Sequence, residues 1–192
     1  MRTASLLLGA VALALASTVA QAQSYTLDPN HTYPSMEFKH LGVSTWRGKF
    51  TKTTGKVMLD RAAKTGTVDV TIDPASIDFG HTAMNGHARG ENWFKVEQFP
   101  AITYKGTVSR FEGDAPVQVD GQLTMAGVTR PVTLQMANFR CIQHPMLKRE
   151  MCGGDATGTV NRRDFNLSPG TPDAAIPNEI KLVLQIEGLR DQ

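Results

Sequence analysis

The stretch Phe38-Lys39-His40-Leu41-Gly42-Val43-Ser44-Thr45-Trp46-Arg47-Gly48-Lys49-Phe50 alternates in period two. Met36, Phe38 and His40 fall on one side, and Ser35, Glu37 and Lys39 on the other. Past a bend at Leu41-Gly42, Trp46, Gly48 and Phe50 resume the pattern, with Arg47, Lys49 and Thr51 opposite. Successive side chains of a strand point to opposite faces, so this reads as two paired strands with one apolar and one wet face.

The same period recurs along the chain. Val57 and Leu59 share a face, and Val68, Val70 and Ile72 alternate with Asp69, Thr71 and Asp73. Ile102 and Tyr104 follow, then Val119, Gly121, Leu123 and Met125, then Val132, Leu134 and Met136. Ala156, Gly158 and Val160 repeat it, and Ile180, Leu182, Leu184 and Ile186 make the last run. Turn residues separate the runs, as at Asp28-Pro29-Asn30, Glu112-Gly113-Asp114 and Ser168-Pro169-Gly170. Gly48, Gly121 and Gly158 sit on the inner face, where glycine marks the bends that closing a barrel requires. The pattern predicts an all-β fold, a single antiparallel barrel of about eight strands whose interior holds a small ligand. A sandwich with a filled core has the same periodicity, and periodicity alone leaves both open.

One segment breaks the alternation. Thr82 is placed to cap a short helix running to about Arg89, with Gly90 as its stop. Trp93, Phe94, Val96 and Phe99 then form a dense apolar cluster. The segment suits a lid over one barrel end, and equally a plug that fills it.

The first residues have another purpose. Arg2, the apolar run Leu6 to Ala16 and the small-x-small site Ala20-Gln21-Ala22 read as a secretory signal peptide over residues 1–22, cut near Ala22. Residues 23–192 are then one exported domain, long enough for a sizeable core. The formal net charge is +2 and no Lys/Arg run stands out, which gives no support to nucleic-acid or polybasic membrane binding. No later stretch is apolar enough for a membrane helix, so the domain is expected to be soluble. Cys141 and Cys152 are the only cysteines, and in an exported chain they are expected to form a disulfide.

Together these segments resemble the YceI-like family. The resemblance is carried by His31, by Phe38 to Ser44 with Arg47-Gly48-Lys49-Phe50, and by Ile72-Asp73-Pro74-Ala75-Ser76-Ile77. It continues through Trp93 to Thr103, Gly121-Gln122-Leu123-Thr124 with Gly127 to Val132, and Gly158 to Phe165. The resemblance implies a lipocalin-like barrel in the periplasm with an elongated pocket for a polyisoprenoid, an isoprenoid quinone or a similar long amphiphile. It implies a binding or carrier protein rather than an enzyme, and a homodimer. No cofactor is implied beyond the bound lipid. It turns the apolar faces inward, which makes Met36, Phe38, Trp46 and Phe50 a pocket wall, joined by Phe94, Tyr104 and Met125. Two departures stand out. Phe165 is followed by Asn166 where the family continues with Gly, and Cys141 to Cys152 looks like an added loop that reshapes one rim.

The remaining chemistry-bearing residues are weaker signals. His31, His40, His81, His87 and His144 show no helical metal-ligand spacing, so no metal site is expected. The resemblance makes His31 and His40 structural. No Gly-x-Ser-x-Gly elbow is present, and Asp60, Asp69, Asp73 and Asp78 sit at turns or on wet faces. No catalytic residue is therefore expected. An enzyme acting on a lipid-like substrate and a filled-core stress protein with no ligand are the alternatives to a carrier.

Overall fold

The computed structural model describes residues 22–192; apart from Ala22, the expected signal peptide lies outside the described residues. The alternation does not announce β1 (Gln23–Leu27), which with β2 (Tyr33–His40) forms one line broken at residues 28–32. β3 (Ser44–Phe50) and β4 (Thr53–Asp60) run back beside them, with Phe38 opposite Trp46 and Tyr25 opposite Val57. Leu41 and Gly42 both take positive φ, 53° and 70°, which turns the quoted stretch into a hairpin.

β5 (Thr65–Ile72), the two-residue β6 (Ile77–Asp78) and the helix α1 (Thr82–Arg89) follow. The long strands β7 (Ile102–Glu112), β8 (Ala115–Met125), β9 (Val128–Gln143), β10 (Glu150–Asn161) and β11 (Glu179–Arg190) complete the chain. Neighbours pair in the order β1-β4-β5-β7-β8-β9-β10-β11, and β11 pairs back onto β1. Tyr25 opposite Arg190 and Leu27 opposite Gly188 make that closing seam. The result is a closed eight-stranded antiparallel barrel, not a sandwich. β2, β3 and β6 extend the sheet beyond β11, and the β2–β3 hairpin past Glu37 forms a flap.

Bare backbone on the inner face makes room for aromatic rings. A Cβ on Gly121 would lie 2.5 Å from Tyr104 Cζ, and one on Gly48 would lie 2.5 Å from Phe79 Cζ. The Tyr104 hydroxyl then reaches across β8, donating to the carbonyls of Val119 (3.2 Å) and Val132 (3.0 Å). The outward faces carry Thr67, Asp69, Lys105, Asp120 and Gln122, the reverse of the apolar outer band a membrane barrel needs. Among the described residues, no helix is long and apolar enough to cross a membrane.

The two ends are built differently. At the helix end, α1 begins at a cap formed by His81 rather than Thr82: the Met84 N–H donates to His81 Nδ1 at 3.2 Å. Gly90 ends the helix as expected, and the Trp93 indole N–H donates to His87 Nε2 at 3.0 Å. Trp93 and Phe94 are buried, so their side chains fill this end from within. At the opposite end, Cys141 and Cys152 face each other directly across β9 and β10 and are joined by a disulfide. The segment between them is the tip of the β9–β10 hairpin, and Cys152 is buried against Tyr25 and Leu59.

Candidate ligand cavity

Inward-facing residues near either end are buried: Ile72, Ile102 and Ile180 at the helix end, Tyr25, Leu59 and Cys152 at the disulfide end. Between them Val68, Val70, Leu182, Leu184 and Ile186 also point inward, yet each keeps exposed surface. That surface faces a cavity of about 180 Å³, lined almost wholly by carbon. An engineered apolar cavity of about 150 Å³ stays dry and takes up benzene, so this interior offers water nothing. β11 alone runs from Ile180 to Gly188 along the lining. At ~3.3 Å per residue and a tilt of about 40°, that is roughly 20 Å along the barrel axis. So modest a volume spread over that length is a slender channel.

The expected wall residues divide into two groups. Met36, Phe50, Phe94, Tyr104 and Met125 line the cavity. Phe38 and Trp46 do not. β2 pairs with β11 only as far as Glu37, so Phe38 already lies on the flap. There Phe38 and Trp46 pack on Phe79, with ring centroids 6.3 and 6.2 Å away, and His40 stacks on Trp46 at 5.3 Å. The parity of the alternation holds, but the sheet leaves the barrel between residues 36 and 38.

Of the buried polar side chains at the cavity, all but one are already engaged. Burial pushes the Tyr104 phenol pKa up, so its ring rather than its charge faces a ligand. Burial, then a hydrogen bond donated to Glu150, pushes Tyr25 up to about 12. Arg61 sits 3.5 Å from the same Glu150 carboxylate. Thr53 is the exception: its hydroxyl is buried without a hydrogen-bond partner among the described residues.

Arg162 is the residue that alternation does not single out. It is fully buried at the helix end. Its Nε donates to Pro177 O at 3.2 Å, Nη1 to the carbonyls of Leu167 and Ser168, and Nη2 to those of Thr171 and Ile176 and to Asp173. A guanidinium has five N–H donors, and these contacts use all of them. Arg162 therefore clamps the 162–178 segment across the barrel end and has no donor left for a ligand. Burial lowers its pKa and its positive neighbour Arg163 adds to this, while Asp173 opposes them.

The histidines do not converge. His31 bonds Asp28 at 2.8 Å within the β1–β2 break, and His87 serves Trp93. Cys141, Glu150 and Cys152 lie close together, but both sulfurs are bonded to each other and neither is a thiolate.

A closed antiparallel barrel around an apolar cavity is a lipocalin-like architecture. The YceI-like domain model matches residues 25–188, and the chain belongs to that family. A UPF0312 protein of Yersinia pestis is 31% identical over 184 residues, covering 95% of this chain and 94% of the relative. Protein YceI of Salmonella arizonae is 30% identical over 176 residues, covering 90% of each. Among solved structures, BcnA of Burkholderia cenocepacia superposes with a TM-score of 0.66 at 23% identity, covering 84% of this chain and 98% of that one. A polyisoprenoid binding domain from Saccharophagus degradans superposes with a TM-score of 0.60 at 14% identity, covering 88% and 99%.

Proposed function

We propose that this chain is an exported carrier that holds one long, slender, apolar molecule in the barrel, with its chain along the barrel axis. The observation that carries this reading is the partly buried inner wall at Val68, Val70, Leu182, Leu184 and Ile186 between two filled ends. Each buried methylene contributes about 0.8 kcal/mol, so a five-carbon isoprenoid unit is worth about 4 kcal/mol before ordering losses. Apolar contact alone holds such a ligand, and a slender channel favours a polyisoprenoid or fatty chain over a fused-ring molecule. The polyisoprenoid binding domain from Saccharophagus degradans has the same fold, which supports the ligand class. The Cys141–Cys152 disulfide fits an oxidising compartment, and we place the carrier in the periplasm. Arg162, Tyr25 and Tyr104 are committed to structural hydrogen bonds, so no reacting group is assigned and binding is the activity proposed. Family kinship makes a homodimer part of the same proposal.

The test fills the channel. Val70 points inward opposite Tyr104, and its neighbour Thr71 points outward. Val70→Trp is expected to stay folded, because the ring has a void to occupy, and to weaken uptake of a fluorescent long-chain probe at least tenfold. Thr71→Trp is expected to bind as the parent does. Equal binding by a folded Val70→Trp protein overturns the reading.

A further inference from the structure

β9 runs on from Gln135, its last residue paired with β8, to Gln143 before turning back through β10. The hairpin tip therefore projects past the disulfide end of the barrel. Three large apolar side chains there face solvent: Met146 is 81% exposed, Leu147 52% and Ile142 40%. Isolated exposed apolar residues are ordinary, but three within one short tip are not. Arg140, Lys148 and Arg149 flank them, and none of the three makes an ion pair among the described residues. The hairpin's own carboxylate, Glu150, is taken by Tyr25 and Arg61. The chain shows no basic run because these charges are spread over both arms of the hairpin and meet only when it folds. The disulfide crosses the base of the tip, and the same Cys152 lines the cavity.

We propose that the β9–β10 tip docks on an anionic lipid bilayer, with Met146, Leu147 and Ile142 entering the headgroup boundary and Arg140, Lys148 and Arg149 resting on the charged surface. Apolar insertion and basic contact acting together is the combination that holds peripheral elements at membranes. The disulfide keeps the two arms joined, so the tip meets the surface as one unit beside the cavity end. This extends the carrier reading by naming where a lipid is collected, and its test is separable from that reading.

The experiment is flotation of the full mature chain with vesicles of phosphatidylcholine, with and without phosphatidylglycerol. The parent is expected to float with the anionic vesicles at low salt and to be released at high salt. Met146→Ser/Leu147→Ser is expected to lose flotation. Lys148→Glu/Arg149→Glu is expected to lose roughly 30-fold or more, taking about 1 kcal/mol per basic residue. Uptake of a long-chain probe is followed in parallel, from ethanol solution and from vesicles. The Met146/Leu147 variant should keep the first and lose the second. A parent that does not float, or variants that float equally, overturns the docking proposal whatever the uptake result. Loss of self-association in the Met146/Leu147 variant with flotation unchanged overturns it too, by making the tip a contact between copies. Failure of the parent to take up probe from ethanol counts against the carrier reading alone.

Discussion

The barrel's two ends solve one problem with different chemistry. At the helix end, irregular backbone is folded over the opening, and its carbonyls are gathered by one buried guanidinium. At the disulfide end the strands continue outward, and a covalent bond ties two of them together. Irregular backbone carries carbonyls that need partners when buried, whereas a ladder satisfies its own. The helix end therefore depends on a polar clamp and the other does not. The cavity lies between a hydrogen-bonded stopper and a strapped extension of the wall.

The largest expected effect separates the two devices. Arg162→Ala leaves five backbone carbonyls of the 162–178 segment without their donor, and a loss of roughly 3–5 kcal/mol is expected in urea unfolding. Arg162→Lys should rescue little of it, because three donors on a point charge cannot replace a planar fork. Full stability in Arg162→Ala would show that the stopper holds by packing alone. Next comes the disulfide. Cys141→Ser/Cys152→Ser should cost about 3 kcal/mol by loop-closure entropy, with the barrel still folded by circular dichroism. Because Cys152 is buried against Tyr25 and Leu59, the Tyr25 environment should loosen as well, read as faster amide exchange in β1. Unchanged exchange there would make the bridge peripheral to the barrel end.

Thr53 gives a smaller effect of opposite sign. Its hydroxyl is buried without a partner, so the near-isosteric Thr53→Val should stabilise the helix end by about 1 kcal/mol in the same unfolding assay. A loss instead would reveal a hydrogen bond formed by that hydroxyl in solution.

The smallest effect lies at the seam. The hydrogen bond to Asp28 raises the His31 pKa. Burial of Asp28 works to raise its own pKa, but the bonds from His31 and Asn30 outweigh it and leave it lowered. The His31 contribution is complete below the ordinary histidine range and is lost as pH rises through its raised pKa. The Asp28 contribution is present above the ordinary carboxylate range and is lost as pH falls through its lowered pKa. The pair is strongest between about pH 4 and 6.5. In Asp28→Asn, the His31 pKa followed by NMR should fall back to the ordinary value, and no change would mean that the contact does not persist.

How far the alternation reaches explains what was legible. Period two placed β3, β5, β8 and β11 with the right faces inward, because each has one wet and one apolar side. It missed β1, where Tyr25 and Leu27 point inward but the run is cut short at Asp28-Pro29. It also read the β9–β10 tip as a loop, since Arg140 to Gln143 has no apolar partner face to alternate against. Phe38 and Trp46 show a second limit. Parity fixes which side of a strand a residue is on, but not where along that strand the sheet leaves the barrel. Arg162 shows a third, because its partners are carbonyls, and carbonyls carry no sequence signature.

The central claim is that the space between the two ends holds a long apolar chain. Native mass spectrometry of the protein purified from its own host, followed by solvent extraction, tests it most directly. One long-chain lipid per barrel is expected in the parent and none in folded Val70→Trp. A parent with the mass of the bare chain and an extract free of long-chain molecules, or the same lipid recovered equally from both proteins, would contradict it.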